Sequence, residues 1–182
     1  EPAEALVRAW DFQGAAKALA KLKADDDAEF TARIAARRDE VARLAKLKAR
    51  MIARINEAQP RLRRSSILIR GINADLTKAD EECIVASPPN GRDEEHAWRT
   101  LSGRSVERLV PLVAERESAA DWLAGGLLAL VVNDAAVAEA FMEKARSLGA
   151  QVDRYLDPLA AVAFDRARNL IADKKLAEAK SE

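Results

Sequence analysis

Residues 118–150 read SAADWLAGGLLALVVNDAAVAEAFMEKARSLGA, and the punctuation of this stretch decides the fold. Ser118 with Asp121 three residues later is a capping-box pattern, so a helix is expected over 119–132. Asn133-Asp134 makes a tight turn, and Asp134 can cap a second helix over 135–148. Gly149 falls where that helix needs a left-handed residue to close it. The result is a helical hairpin. Gly126 and Ala138 are small enough to let its two helices approach closely, while Trp122 and Phe141 are large enough to fill the groove beside them.

The same pattern occurs once more, without gaps, at the other end of the chain. Asp11-Phe12-Gln13-Gly14-Ala15, then Leu19 and Leu22, match Asp134-Ala135-Ala136-Val137-Ala138, then Met142 and Ala145. In each copy a capping Asp is followed at plus four by Ala and at plus eight by a large apolar residue. Another apolar residue follows at plus eleven. Segment 119–150 resembles a tetratricopeptide repeat, with Trp122, Gly126, Ala138 and Ala145 at the spacings of that signature. Gly125, Ala129, Met142 and Ala150 depart from it, standing for leucine, tyrosine, phenylalanine and proline. Segment 5–23 matches partially, with a second helix and the tail of a first. The arrangement also resembles helical accessory domains of large bacterial proteins, some joined to serine/threonine kinases. These resemblances imply a scaffold that binds peptides or partner domains on a concave helical face. Single hairpins cannot bury their faces alone and stack on neighbours.

Between the two copies the pattern changes twice. Leu6 and Trp10 mark the end of a first helix over 3–10, and a second spans 12–23 with Phe12, Ala15, Ala16, Leu19 and Leu22 on one face. The acidic run Asp25 to Asp27 heads a long helix, about 27–58, whose stripe is Phe30, Ile34, Val41, Leu44, Met51 and Ile55. It is on the order of 45 Å long, and Gln59-Pro60 closes it. From 61 to 101 helix formers thin out. Ile67 to Ile69 is apolar and partly β-branched. Ile72, Ala74 and Leu76 then alternate with polar residues, Ala79 to Glu82 turns, and Cys83 to Ala86 is a strand. Pro88-Pro89-Asn90-Gly91 turns again, and Arg92 to Trp98 returns as a third strand. Three strands are marginal alone, so their apolar face should pack on helices. Ser102 opens a helix over 103–116, kinked or restarted near Pro111. A last helix is expected from Asp157-Pro158, lined by Leu159, Val162, Ala163, Leu170 and Ile171, with a polar end from Lys174 to Glu182. The expected fold is mainly α: helical hairpins around a long central helix, with a small inserted three-stranded antiparallel β-meander. Its parts are 1–60, 61–101 and 102–182, forming one compact unit.

Composition agrees with a helical reading. The 182 residues include 39 Ala but only 4% aromatics and 7 Gly. Lys plus Arg and Asp plus Glu number 30 each, so net charge is zero, which argues against whole-molecule attraction to nucleic acid. Zero is nonetheless a balance between segments. Residues 31–70 hold 12 Lys/Arg and 3 Asp/Glu, or +9, and the rest of the chain holds −9. Arg43, Lys46, Arg50 and Arg54 form one stripe on the long helix, extended by Arg61, Arg63 and Arg64. Such a stripe either faces an anionic partner or pairs with the acidic remainder of the chain, and no aromatic side chains that would stack bases lie next to it.

Other reactive side chains are few. Cys83, the one cysteine, has acidic neighbours that work against a nucleophilic thiolate, and it reads as a small hydrophobe. His96, the one histidine, shares a strand face with Glu94, but a metal site needs three or four ligands. Ser65-Ser66 follows Arg61-Leu62-Arg63-Arg64, a basic stretch of the kind some kinases favour. Trp98, closing the meander, is placed to pin sheet to helix. No phosphate loop, nucleophile–base pair or dinucleotide fingerprint is present, so no enzyme, cofactor or metal is expected. No apolar run reaches the ~20 residues that span a bilayer, and no secretory signal pattern is seen. The chain begins inside a helical pattern, as a piece of a longer protein does. The expected function is a non-catalytic protein–protein interaction or scaffolding module, with Trp122, Gly126 and Phe141 marking the partner groove. The alternative is a nucleic-acid or phosphate-binding module using Arg43, Lys46, Arg50 and Arg54.

Overall fold

The computed structural model describes residues 2–22, 27–57, 62–69, 72–88 and 91–159, with backbone alone for Leu62–Ile69 and Ile72. The chain divides into two compact units, Glu1–Ala150 and Gln151–Glu182.

The first unit is built along one helix. Asp27 accepts hydrogen bonds from the Glu29 and Phe30 N–H groups (2.8 and 3.1 Å) and so starts α3 (Ala28–Glu57), which runs for 30 residues. Its buried positions, Ile34, Val41, Leu44, Leu47, Lys48, Met51 and Ile55, follow the three–four spacing of one helical face. Against that face pack α2 (Phe12–Ala20), α4 (Gly103–Val113), α5 (Ala119–Val131) and a sheet, while α1 (Pro2–Arg8) packs on α2 and α6 (Ala135–Ser147) on α5. Phe30, expected in the stripe, is exposed instead, because it sits in the first turn of α3, beyond the end of α2. Leu22 is exposed for a related reason: α2 stops at Ala20, so the last of its expected apolar positions lies past the helix. Buried positions on α1 are Ala3 and Val7, whereas Leu6 is only half-buried.

The two hairpins share one turn. In the first, the Trp10 N–H donates to Val7 O and the Asp11 N–H to Leu6 O (both 2.9 Å). In the second, Asn133 N–H donates to Leu130 O and Asp134 N–H to Ala129 O (both 3.0 Å). These are the two bonds of a Schellman closure. The closing residue is left-handed in both, Trp10 at φ 64° and Asn133 at φ 58°. The next residue is already the N-cap of the following helix: Asp11 accepts from Gly14 N–H and Asp134 from Val137 N–H. The two turns therefore share one backbone geometry. Asn is an easy occupant of this conformation, whereas a Trp there is strained by about 1–2 kcal/mol. Full burial of Trp10 against Phe12 and Trp98 offsets that strain.

Between the hairpins the expected antiparallel meander is present, in the order β1 (Leu62–Ile69), β2 (Ile72–Ala79), β3 (Cys83–Ser87), β4 (Glu94–Ala97). It has four strands, one more than expected. The stretch 67–77, which reads as one run, holds the end of β1 and most of β2, paired antiparallel with Ile69 opposite Ile72. A register shift between Leu76 and Lys78 changes the alternation of β2, so Ala74, Leu76 and Ala79 are buried and Lys78 is not. Two hydrogen bonds join α3 to the sheet: Asn56 Nδ2 donates to Ala79 O (2.8 Å) and Asn56 Oδ1 accepts from Ala79 N–H (2.9 Å). The β2–β3 turn is held by Asp80, whose side chain accepts from the Cys83 and Glu82 N–H groups (2.8 and 2.9 Å). Those two donors, Cys83 first, hold its carboxyl below the usual aspartate value.

α4 does not restart at Pro111. The proline falls in the last turn of a helix that runs on to Val113. In the second unit residues 153–159 are helical, so that helix starts before the Asp157-Pro158 pair, and Pro158 lies in its second turn. The first turn is closed by Tyr155 and Leu156 N–H groups on Val152 O. Gln59-Pro60, Asp25-Asp26 and the stretch 160–182, with its apolar line and polar end, fall outside the described residues, as do the side chains of Arg61, Arg63, Arg64, Ser65 and Ser66.

Candidate functional site

The α5–α6 hairpin is closely packed at its glycines. A Cβ on Gly126 would stand 2.6 Å from Met142 Cγ and 3.3 Å from Ala138 O. One on Gly125 would stand 2.6 Å from Val110 Cγ1 of α4. Gly126 thus contributes closeness inside the hairpin and presents no surface. Trp122 is half-buried, donates from Nε1 to Arg116 O (3.1 Å), and lies 5.7 Å from the ring of Phe141, which is buried. The structure brings these two rings together as their spacing suggested.

The capping box is half-made. Ser118 accepts from Asp121 N–H, but the Ser118 backbone N–H donates to Glu115 O (3.0 Å) and not to the Asp121 carboxylate. That carboxylate accepts from Glu115 N–H (3.0 Å) with one oxygen and from Arg50 of α3 with the other. Arg50, from the middle of the expected basic stripe, is therefore engaged inside the fold, with Glu115 a second partner at 3.8 Å. Its Nε is buried with no hydrogen-bond partner among the described residues. Burial raises the Asp121 carboxyl, but the hydrogen bonds from Arg50, Glu115 and Ser118 outweigh it and hold it below the usual aspartate value. A carboxyl depressed on folding stabilises fully above its unfolded value of about 3.9, and that contribution is lost as pH falls through the folded value. Asp121→Asn is expected to cost about 2 kcal/mol at pH 7. The gap between it and the wild type should narrow at pH 3, and urea unfolding at both pH values checks this. An unchanged gap would mean that the charge is not what holds α3 to α5.

The rest of the basic segment divides in the same way. Arg37 is bound to Glu4 of α1 through Nε and Nη2 (2.9 and 2.7 Å) and to Glu40 through Nη1 (2.8 Å). Arg38 donates to the carbonyls of Leu19 and Leu22 at the end of α2. Lys48 is fully buried. Its ammonium donates to Trp10 O (3.0 Å) and Glu81 O, pairs with Glu81 Oε2 at 3.2 Å, and stands 5.6 Å from the centre of the Trp98 ring. Arg43, Lys46 and Arg54 are exposed.

The remaining candidates are quiet. Burial first, then Asp80 and its acidic neighbours, push the Cys83 thiol up, away from reactivity. His96 is nearly buried, with Nε2 3.5 Å from Glu94 Oε2, so the two do share a face. Among the described residues no group of three His, Cys, Asp or Glu is placed to hold a metal ion, and no helix is long and apolar enough to cross a membrane.

Two of the clefts in the first unit are bordered by both α1 and α3. One, of about 420 Å3, lies between α1, α2 and the start of α3, lined by Ala3, Leu19, Leu22, Phe30, Ile34 and Arg37 among others. The second, of about 530 Å3, lies between α1, α3 and the end of α5, lined by Val7, Arg8, Leu44, Leu127, Leu130 and Asn133 among others. Glu4 and Arg37 line both. None of Trp122, Gly126, Phe141, Arg43, Lys46, Arg50 or Arg54 lines either cleft. The first cleft was missed because Leu22 and Phe30 fit helical stripes, and a stripe position reads as core. The signal was their place, one at the end of α2 and the other at the head of α3, where a stripe runs out of helix to face. Comparison of the chain with protein-family models, curated proteins and solved structures finds no match.

Proposed function

We propose that this chain is a non-catalytic protein-interaction module that receives a short apolar segment of a partner protein in the cleft between α1, α2 and α3. The observation that carries this reading is the position of the exposed apolar surface. Leu22 and Phe30, the large hydrophobic side chains exposed among the described residues, at 46% and 37%, line the same cleft. Scattered apolar residues on a surface need no explanation, but two converging on a concavity do. Its volume lies in the range of sites that enclose a ligand group, and Ile34, Leu19 and Ala3 form an apolar floor. The resemblance of 119–150 and 5–23 to tetratricopeptide hairpins supports the same class of function, since such hairpins present concave faces to peptides.

Selection of a displayed random-peptide library on the protein tests the reading. Selected peptides should bind at least tenfold more weakly to Phe30→Glu, as expected for the loss of a central apolar anchor. The same peptides should bind unchanged to Trp122→Ala and to the triple variant Arg43→Glu/Lys46→Glu/Arg54→Glu. Peptides that ignore Phe30→Glu, or that are lost on the triple variant, would contradict it.

A further inference from the structure

The charges around the cleft narrow the chemistry of its occupant. Across the two clefts the charged lining residues are Glu4 against Arg8, Arg33 and Arg37. Glu4 is taken up by Arg37, which it binds with both oxygens, and Arg37 is completed by Glu40. Asp27, at the head of α3, is taken up by the N–H groups of Glu29 and Phe30. The open charges are positive, one on each cleft. Arg33 has a side chain 68% exposed and, among the described residues, pairs with Glu29 of its own helix at 4.0 Å. Arg8 is exposed and makes no ion pair among the described residues. An apolar cleft lined by Arg33, which shares Glu4 and Arg37 with a second cleft lined by Arg8, is complementary to an apolar segment that carries carboxylates.

Building on the interaction reading above, we infer that the occupant is an acidic amphipathic segment of another protein, with apolar side chains against Leu22, Phe30 and Ile34 and carboxylates toward Arg33 and Arg8. The Glu4–Arg37 bridge, common to both linings, then serves as the sill over which the segment passes. Apolar burial supplies most of the affinity, and the flanking arginines select the sign of the partner's charge.

The test measures fluorescence anisotropy of peptides selected on the wild-type protein, each beside a copy with Asp and Glu changed to Asn and Gln. The selected peptides should be rich in Asp and Glu. Neutralising them, or introducing Arg33→Glu, should weaken binding about five- to tenfold in low salt, with less effect in about 0.5 M salt, where exposed charges are screened. Phe30→Glu should weaken binding at both salt concentrations. A peptide with Lys in place of its acids should recover affinity for Arg33→Glu/Arg8→Glu. If selected peptides are neutral or basic, or indifferent to Arg33→Glu, while still lost on Phe30→Glu, the acidic-partner inference fails and the interaction reading stands. If Phe30→Glu changes nothing, both fail together.

Discussion

Lys48→Met is expected to destabilise the first unit by about 3 kcal/mol. The three protons of the ammonium are all placed: on Trp10 O in the α1–α2 turn, on Glu81 O in the β2–β3 turn, and toward the Glu81 carboxylate. Methionine keeps the apolar stem and removes all three donors. Trp10 O is then left buried without a partner, and the helix loses its hold on both turns. Glu81→Gln is the control. Its carboxylate is more than half exposed, so an exposed ion pair of at most about 1 kcal/mol is lost while the carbonyl bonds remain. Urea unfolding should show a lower midpoint with an unchanged slope for Lys48→Met. Equal effects from the two variants would mean that the charge pair, not the carbonyl bonds, is what matters.

Trp98→Ala should cost more, about 4 kcal/mol. The indole is fully buried, lies 5.6 Å from the Trp10 ring in a stacked arrangement, and donates from Nε1 to Asp80 O (2.8 Å). Removing it opens a cavity where the α1–α2 turn, the β2–β3 turn and the head of α4 converge. Trp98→Phe keeps much of the apolar volume and loses the donor, and should cost about half as much. Since Lys48 stands over the same ring, Lys48→Met and Trp98→Ala should not add: the double variant is expected to fall short of the sum by about 1 kcal/mol. Strict additivity in an unfolding cycle would show that the cluster is not one unit.

This cluster also shows what the sequence discloses and what it withholds. Capping residues are read directly, because the signal is local: Asp11, Asp134, Ser118 and Gly149 each close or open the helix they were expected to. The mainly helical architecture with an inserted antiparallel meander follows from periodicity, which survives tertiary context. Lys48 was passed over, although it stands in the line Val41, Leu44, Met51, Ile55 at a position where an apolar residue is expected. A cation on an apolar stripe is a signal of buried hydrogen bonding, but its partners, carbonyls 38 and 33 residues away, have no sequence signature. Arg50 misleads in the opposite way. It fits a basic stripe with Arg43, Lys46 and Arg54, yet one turn of helix brings it over Asp121. The candidate cleft was legible only in the place of Leu22 and Phe30 at two helix ends, since their exposure depends on where α2 stops and α3 starts.

The α1–α2–α3 cleft is the surface proposed to meet a partner. Isotope-edited NMR titration of the protein with one selected peptide tests that most directly. Amide shifts are expected to concentrate at Ala3, Leu19, Leu22, Phe30, Ile34 and Arg37, with weaker shifts around Arg8 and Leu130. Shifts centred on Trp122 and Phe141, or along Arg43, Lys46 and Arg54, with the cleft residues unmoved, would contradict it.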